Sequence, residues 1–317
     1  MSSLNKMNEP LKIDVVLNVF GKPWQTLVAL KTLLLHSGKW IDKIYFIEER
    51  QQPYSEKVSW VVDELKYKNT IHHQPTYHLG TKKSNKLRCI IDKNYRQSLR
   101  YEYALQHTDK KYLMIIHNDV LIESDIVGAF LENIKTGFAI GQIGQCWNCP
   151  MYYEDLCDGA RFGNVDFSYK EAMTAAKKHP KTRTYKHRHL IDKKHTTIMP
   201  ECRINEWCCL LDVDIYRQMT IPKGGVWSFG GYFRLDIGDA WFRGLVRKGF
   251  QPVHYNIYQH IKHGYFTDSM PPTDNKNNYI HGTSTHAGHA ALSNEERYYK
   301  EEQEAREIYK LLLTNEE

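Results

Sequence analysis

Short apolar runs rich in β-branched residues alternate along this chain with stretches whose apolar residues recur at helical spacing. Residues 13–19 (IDVVLNV) predict a buried strand, and a turn at Phe20-Gly21-Lys22-Pro23 follows it. Residues 24–36 predict a helix through Leu27, Leu30 and Leu34, with Gly38 placed to end it. Residues 43–47 (KIYFI) predict a second strand that stops at Glu48 and Glu49. A helix over 55–67, a short strand near 70–74, a helix over 94–106 and a strand at 112–116 come next. Further on, the pattern predicts a helix over 123–134, a strand over 138–144, an apolar run at 207–211, a short helix over 215–219 that Asp214 could cap, a helix over 240–248 closed by Gly249, and a strand over 252–257. Strands alternating with helices of this length indicate βαβ units and a mostly parallel sheet. Residues 266–292, rich in Pro, Gly, Asn, Thr and Ser and carrying His281, His286 and His289, read as a long, lid-like loop. Ser293-Asn294-Glu295-Glu296 forms a capping-box pattern ahead of an amphipathic helix to about residue 313, with Tyr298, Ala305, Ile308, Tyr309 and Leu312 on one face.

The bulk numbers narrow the class. The chain has 317 residues, enough for one large domain or two small ones. No apolar stretch is long enough for a membrane span, and residues 1–10 lack an apolar signal core, so a cytoplasmic protein is expected. Seven cysteines, several within apolar sequence, fit a reducing compartment better than a disulfide scaffold. The net charge of +6 is local, because residues 177–195 alone hold eight Lys or Arg against Asp192. That segment reads as a solvated loop or as an anion patch, for instance a peripheral contact with the inner face of an anionic membrane. No nucleic-acid module accompanies it, so nucleic acid is not the expected partner.

The stretch 112–119 carries the first chemical signal. An apolar run, Tyr112 to Ile116, ends abruptly in His117, Asn118 and Asp119. A buried strand that ends in a carboxylate puts that group at the sheet edge where open α/β folds bind ligands. No Gly-x-Gly-x-x-Gly follows the first strand and no Walker loop is present. The order of strand, turn, helix, acid-ended strand, Arg-bearing helix and strand running into a triplet that ends in Asp resembles the nucleotide-binding half of family 2 glycosyltransferases with the GT-A fold. There the triplet is usually Asp-x-Asp, and its last Asp holds a divalent metal under the sugar nucleotide's diphosphate; here His117 replaces the first acid. The resemblance implies a metal role for Asp119, a donor-side position for Asn18, Phe20, Glu48, His117 and Asn118, and phosphate contacts from Arg96 or Arg100. It implies Mn²⁺ or Mg²⁺, which suit an oxygen ligand and would neutralise the leaving diphosphate. Asn205, Glu206 and Trp207 would help frame the acceptor.

The second signal is the stretch 227–250, with Gly230-Gly231, the acids Asp236 and Asp239, and a helix ending in Arg247-Lys248-Gly249. It is similar to the Glu-Asp segment of the same enzymes, where an Asp at the helix start is the catalytic base. Asp239 is the preferred candidate, because the helix follows it directly and the helix dipole favours a carboxylate there; Asp236 is the second. His263 is the candidate that completes the metal site. Cys146 and Cys149, with Cys157 and Cys202, leave three readings open, namely structural zinc, a redox pair and plain buried thiols. The expectation is therefore a GT-A type three-layer α/β/α sandwich over residues 1–264, its nucleotide half about 12–145 and its acceptor half about 146–264, followed by the loop and helix of 265–317. The expected activity is metal-dependent, inverting transfer from a nucleotide-sugar donor to a saccharide or lipid-linked acceptor in cell-surface polysaccharide synthesis. A sugar nucleotidyltransferase and a non-catalytic zinc-stabilised binding protein are the alternatives.

Overall fold

The computed structural model describes residues 11–80, 82–233, 235–264 and 294–314. Nine strands are formed there: β1 (Ile13–Val19), β2 (Ile41–Glu48), β3 (Thr70–His73), β4 (Tyr112–Ile116), β5 (Val120–Ile122), β6 (Ala139–Ile143), β7 (Ile204–Asp212), β8 (Val253–His254) and β9 (Ile261–His263). Seven make one sheet in the order β3-β2-β1-β4-β7-β6-β8. Its neighbours run parallel except where β7 lies antiparallel between β4 and β6. The helices are α1 (Pro23–Ser37), α2 (Trp60–Leu65), α3 (Lys86–Ile91), α4 (Lys93–Gln97), α5 (Glu102–His107), α6 (Ile126–Asn133), α7 (Pro150–Tyr153), α8 (Tyr169–Lys178), α9 (Arg183–Lys186), α10 (Val213–Met219), α11 (Asp239–Val246) and α12 (Glu295–Thr314).

Strand alternation divides the core between the two faces of the sheet. Ile13, Val15, Leu17 and Val19 of β1 join Tyr112, Met114 and Ile116 of β4 in one cluster, which α1, α2 and α6 cover. Val16, Leu113 and Ile115 point to the other cluster, covered by α5, α8, α10 and α11. This is the expected three-layer α/β/α sandwich with a mostly parallel sheet. Both halves anticipated from the sequence contribute strands to the single sheet.

Several elements differ in detail from the sequence pattern. The helix expected over 94–106 is two, α4 and α5, broken around Tyr101, which takes a left-handed backbone (φ 66°). Gly230 lies against the Arg100 carbonyl with no room for a side chain, so the break is held by close backbone contact. Asp212 caps α10 by accepting from Ile215 N–H at 2.9 Å, a role the pattern gave to Asp214. The strand expected over 252–257 shrinks to β8. A two-stranded ribbon, β5 with β9, was not anticipated. The loop 266–292, with His281, His286 and His289, lies outside the described residues, as does Ser293; Asn294 accepts from Arg297 N–H at the start of α12.

α12 forms as expected and packs Tyr298, Ala305 and Tyr309 inward, with Ile308 and Leu312 beside them. It also supplies what α1 lacks. α1 has no side-chain cap of its own, since its N-cap residue Lys22 is left-handed (φ 59°, ψ 51°). Instead Glu302 of α12 accepts from Trp24 N–H at 2.7 Å and Gln25 N–H at 3.4 Å, and the Tyr298 hydroxyl accepts from Lys22 N–H at 2.7 Å. Two orphan donors of a helix N-terminus are thus satisfied from the far end of the chain.

Glu302→Ala is expected to cost about 1–2 kcal/mol of unfolding free energy, the usual worth of a helix cap, read from urea melts. Burial pushes the Glu302 carboxyl up from 4.5 to about 7, against the bonds from Trp24 and Gln25. A carboxyl raised on folding contributes stability fully below its unfolded value and loses it as pH rises through the folded one. The stability of the wild type relative to Glu302→Gln, which does not ionise, should therefore fall between pH 4.5 and about 7. A flat difference across that window would contradict the buried cap.

Candidate active site

β4 delivers His117, Asn118 and Asp119 to the sheet edge, and the chain turns at once into β5. Because β5 pairs antiparallel with β9, Val120 lies opposite His263, and Gly264 N–H donates to the Asp119 carbonyl at 2.8 Å. This ribbon brings a residue from the end of the sandwich to the triplet. His263 Nε2 lies 3.3 Å from Asp119 Oδ1, His117 Nδ1 lies 3.7 Å from the same oxygen, and the two rings approach at 3.3 Å. Their ligand atoms all fall within 4.8 Å of one another. The His263 ring stacks on Trp207, and the His117 backbone N–H donates to the Trp207 carbonyl, so β7 holds the His263 imidazole and the His117 backbone.

The other oxygen of Asp119 faces Lys22, with Nζ 2.6 Å from Oδ2. Both side chains are buried. Burial alone would raise the Asp119 carboxyl, but Lys22 and His263 overcome it and hold the group well below the ordinary carboxylate range. Burial lowers the His263 imidazole, against the pull of Asp119. Asp119 Oδ1 has no hydrogen-bond partner. A buried carboxylate oxygen left open between two imidazole nitrogens fits a divalent cation, which two nitrogens and one oxygen would hold. Asn118 is turned the other way. Its amide donates to the Gly21 carbonyl at 3.0 Å and to Thr26 Oγ1 at 3.2 Å, tying the turn that carries Lys22 to β4.

These residues form one end of a cavity of about 290 Å³. Asn18, Phe20, Arg100, His117, Asn118, Asp119, Asp236 and His263, all singled out from the sequence, line it. The break before α5 is what turns Arg100 inward. Three others are placed elsewhere. Glu48 meets His72 Nε2 at 2.7 Å on β3, whereas its neighbour Glu49 accepts from Asn18 at 3.1 Å. Arg96 is buried and donates to the Cys89 and Ile90 carbonyls at the end of α3. Asp239 sits at the start of α11, 1% exposed, and does not line the cavity. Burial pushes its carboxyl up to about 6 against Arg243, and neither oxygen has a hydrogen-bond partner.

Arg203 and Arg183, not singled out from the sequence, complete the wall with Glu206, one of the residues expected to frame the acceptor. Arg203 Nη2 lies 3.2 Å from Asp236 and Arg183 Nη1 lies 3.3 Å from it, while Arg183 also grips Glu201. Glu206 faces His117 at 3.7 Å, and its burial is outweighed by His117, Arg100 and Arg203, so it stays ionised. Thr182 caps α9 and so aims Arg183 inward from the basic segment 177–195, most of whose lysines stay exposed. Lys22 stood in the sequence only as a turn residue.

The zinc reading of the cysteines is not supported. Tetrahedral thiolate ligands stand about 3.8 Å apart, yet no three of the Cys146, Cys149, Cys157 and Cys202 sulfurs gather within 4.8 Å among the described residues. All four are free thiols, and burial pushes Cys146 up to about 12, Cys157 up to about 11 and Cys149 well above the ordinary thiol value, which disfavours the thiolate a redox pair needs.

No family model matches the sequence, and no curated protein matches it. The fold is similar to solved glycosyltransferases. A mannosyltransferase from Pyrobaculum calidifontis, in complex with GDP-Man and Mn²⁺, is 11% identical over 78% of this chain and 55% of its own, with a TM-score of 0.44. Core-mannan synthase A of Aspergillus fumigatus, in an Mn/GDP form, is 12% identical over 83% and 76%, with a TM-score of 0.41. Mouse xyloside xylosyltransferase 1, in its apo form, is 14% identical over 78% and 84%, with a TM-score of 0.40. The chain spans about half the length of the first of these.

Lys22→Met removes one partner of a buried ion pair and should destabilise the protein by roughly 3–5 kcal/mol, because Asp119 is left buried and less compensated. In the double variant with Asp119→Asn much of that loss should return, since no buried charge then lacks its partner. A double-mutant cycle by chemical denaturation reads the coupling, and additive losses would show that the pair is not coupled.

Proposed function

We propose that this protein is a metal-dependent glycosyltransferase that moves a sugar from a nucleotide-sugar donor to a saccharide or lipid-linked acceptor. The observation that carries the reading is the open Oδ1 of Asp119 between His117 and His263, with Lys22 on Oδ2, at the carboxyl edge of β4. A divalent ion held there supplies Lewis-acid neutralisation of a leaving diphosphate. Lys22 and Arg100 add fixed positive charge from the same wall, suited to an anionic donor. Asn18, oriented by Glu49, and Phe20, stacked on His78, form the donor end above β1.

The acceptor end is the wall of Asp236, Glu206, Arg183 and Arg203. In an inverting displacement the acceptor hydroxyl must lose its proton as it attacks the anomeric carbon. Asp236 reaches the cavity and takes that role in our reading. Burial alone would raise its carboxyl, but Arg203 and Arg183 keep it ionised. Asp239 lies behind it and sets the local charge. The donor set also bears on the metal. Imidazole ligands favour Mn²⁺ and later transition ions over Mg²⁺, which prefers oxygen.

Incubation with a panel of nucleotide sugars is expected to release nucleotide from one donor with Mn²⁺, less with Mg²⁺, and none with chelator. Asp119→Ala should abolish release, and His117→Asp should raise the Mg²⁺ rate relative to Mn²⁺. Asp236→Asn should lower transfer to acceptor by roughly 10²–10⁴-fold, the range for loss of a general base, with folding intact. Release that is indifferent to metal and to Asp119→Ala would overturn the proposal; loss of transfer in Asp239→Asn alone would move the base there.

A further inference from the structure

α3 is amphipathic the wrong way round for a helix at home on its own domain. Its sequence is KLRCII. Cys89 is its one buried side chain, packed with Tyr95, Leu99 and Phe233. Leu87, Ile90 and Ile91, at the spacing that shares a helix face, are 65%, 43% and 71% exposed. Ile91 and Leu87 are the two most exposed large hydrophobic side chains among the described residues. Lys82, Lys83, Lys86 and Lys93 surround them, all exposed. The segment's one acid, Asp92, is taken by Arg88 at 2.9 Å.

The segment also borders the cavity. Ser84 N–H donates to the Tyr232 carbonyl at 2.8 Å, Tyr232 N–H donates to Ser84 Oγ at 3.0 Å, and Tyr232 and Gly80 line the cavity wall. We propose that residues 82–93 form a docking surface for an acidic phospholipid bilayer, setting the cavity rim against the lipid. The composition selects this occupant. Branched aliphatic side chains interleaved with lysines match acyl chains below and anionic headgroups around them. A protein interface would draw on aromatic and arginine anchors, with lysine depleted. The docking does not depend on the transferase reading, although it would bring the cavity to a surface that carries lipid-linked acceptors.

The test is co-sedimentation of the full chain with vesicles of phosphatidylcholine alone, and with vesicles of phosphatidylcholine and phosphatidylglycerol in equal parts. The wild type should bind the acidic vesicles, more weakly as salt rises, and not the neutral ones. Leu87→Ser, Ile90→Ser and Ile91→Ser combined should weaken binding by at least roughly tenfold while leaving the thermal melt unchanged. Lys82→Glu with Lys83→Glu should weaken it as well. Absence of wild-type binding would overturn the proposal. So would undiminished binding by the triple-serine variant, which would place the contact at 177–195. A wild-type dimer in solution that the triple-serine variant loses, without vesicle binding, would assign the face to a second copy. None of these outcomes bears on nucleotide release.

Discussion

Asp119 is a carboxylate removed from water, and much of the surrounding structure answers the cost of that charge. An isolated buried carboxylate would protonate instead of persisting. Lys22 on one oxygen and two imidazoles near the other hold it ionised. Each of the three arrives by a separate route: β4 itself brings His117, the β5–β9 ribbon brings His263, and the left-handed turn before α1 brings Lys22. Removing any route would strand a charge, so the site and the fold are stabilised by one arrangement.

The turn at Lys22 extends this dependence to the far end of the chain. A left-handed lysine is held only where its surroundings over-determine it. Here the Asn118 amide fixes the Gly21 carbonyl, the Tyr298 hydroxyl fixes Lys22 N–H, and Glu302 caps α1 behind it. α12 is therefore joined energetically to Asp119 through a single residue. It is no mere appendage to the sandwich.

The sequence disclosed the frame because apolar periodicity is a local property. β1, α1, β2 and β4 stand close to where their runs predicted, and a polar end on a buried strand pointed to Asp119 and His117. Long-range events were hidden. Lys22 is chemically ordinary in a turn and acquires meaning only from Asp119, 97 positions away. Arg183 lay inside a charge run that read as solvated, and one cap at Thr182 turns it inward. Glu48 and Glu49 are adjacent, and strand geometry sends only the second toward Asn18. Arg96 and Arg100 looked equivalent on one helix, whereas the break at Tyr101 buries the first in backbone contacts and gives the second to the cavity.

The two aspartates near α11 show why position must be weighed together with ionisation. Asp239 has the carboxyl tuned nearer neutrality, up to about 6, which favours a base in chemical terms. Its burial outside the cavity would, under the proposed reading, keep it from an acceptor hydroxyl, and geometry ranks before pKa. Asp236 has the geometry and is held ionised by two arginines, which weakens it as a base. Under the transferase reading proposed above, withdrawal of either guanidinium from Asp236 would make its carboxylate more basic, so the ion-paired wall sets how readily Asp236 could take a proton.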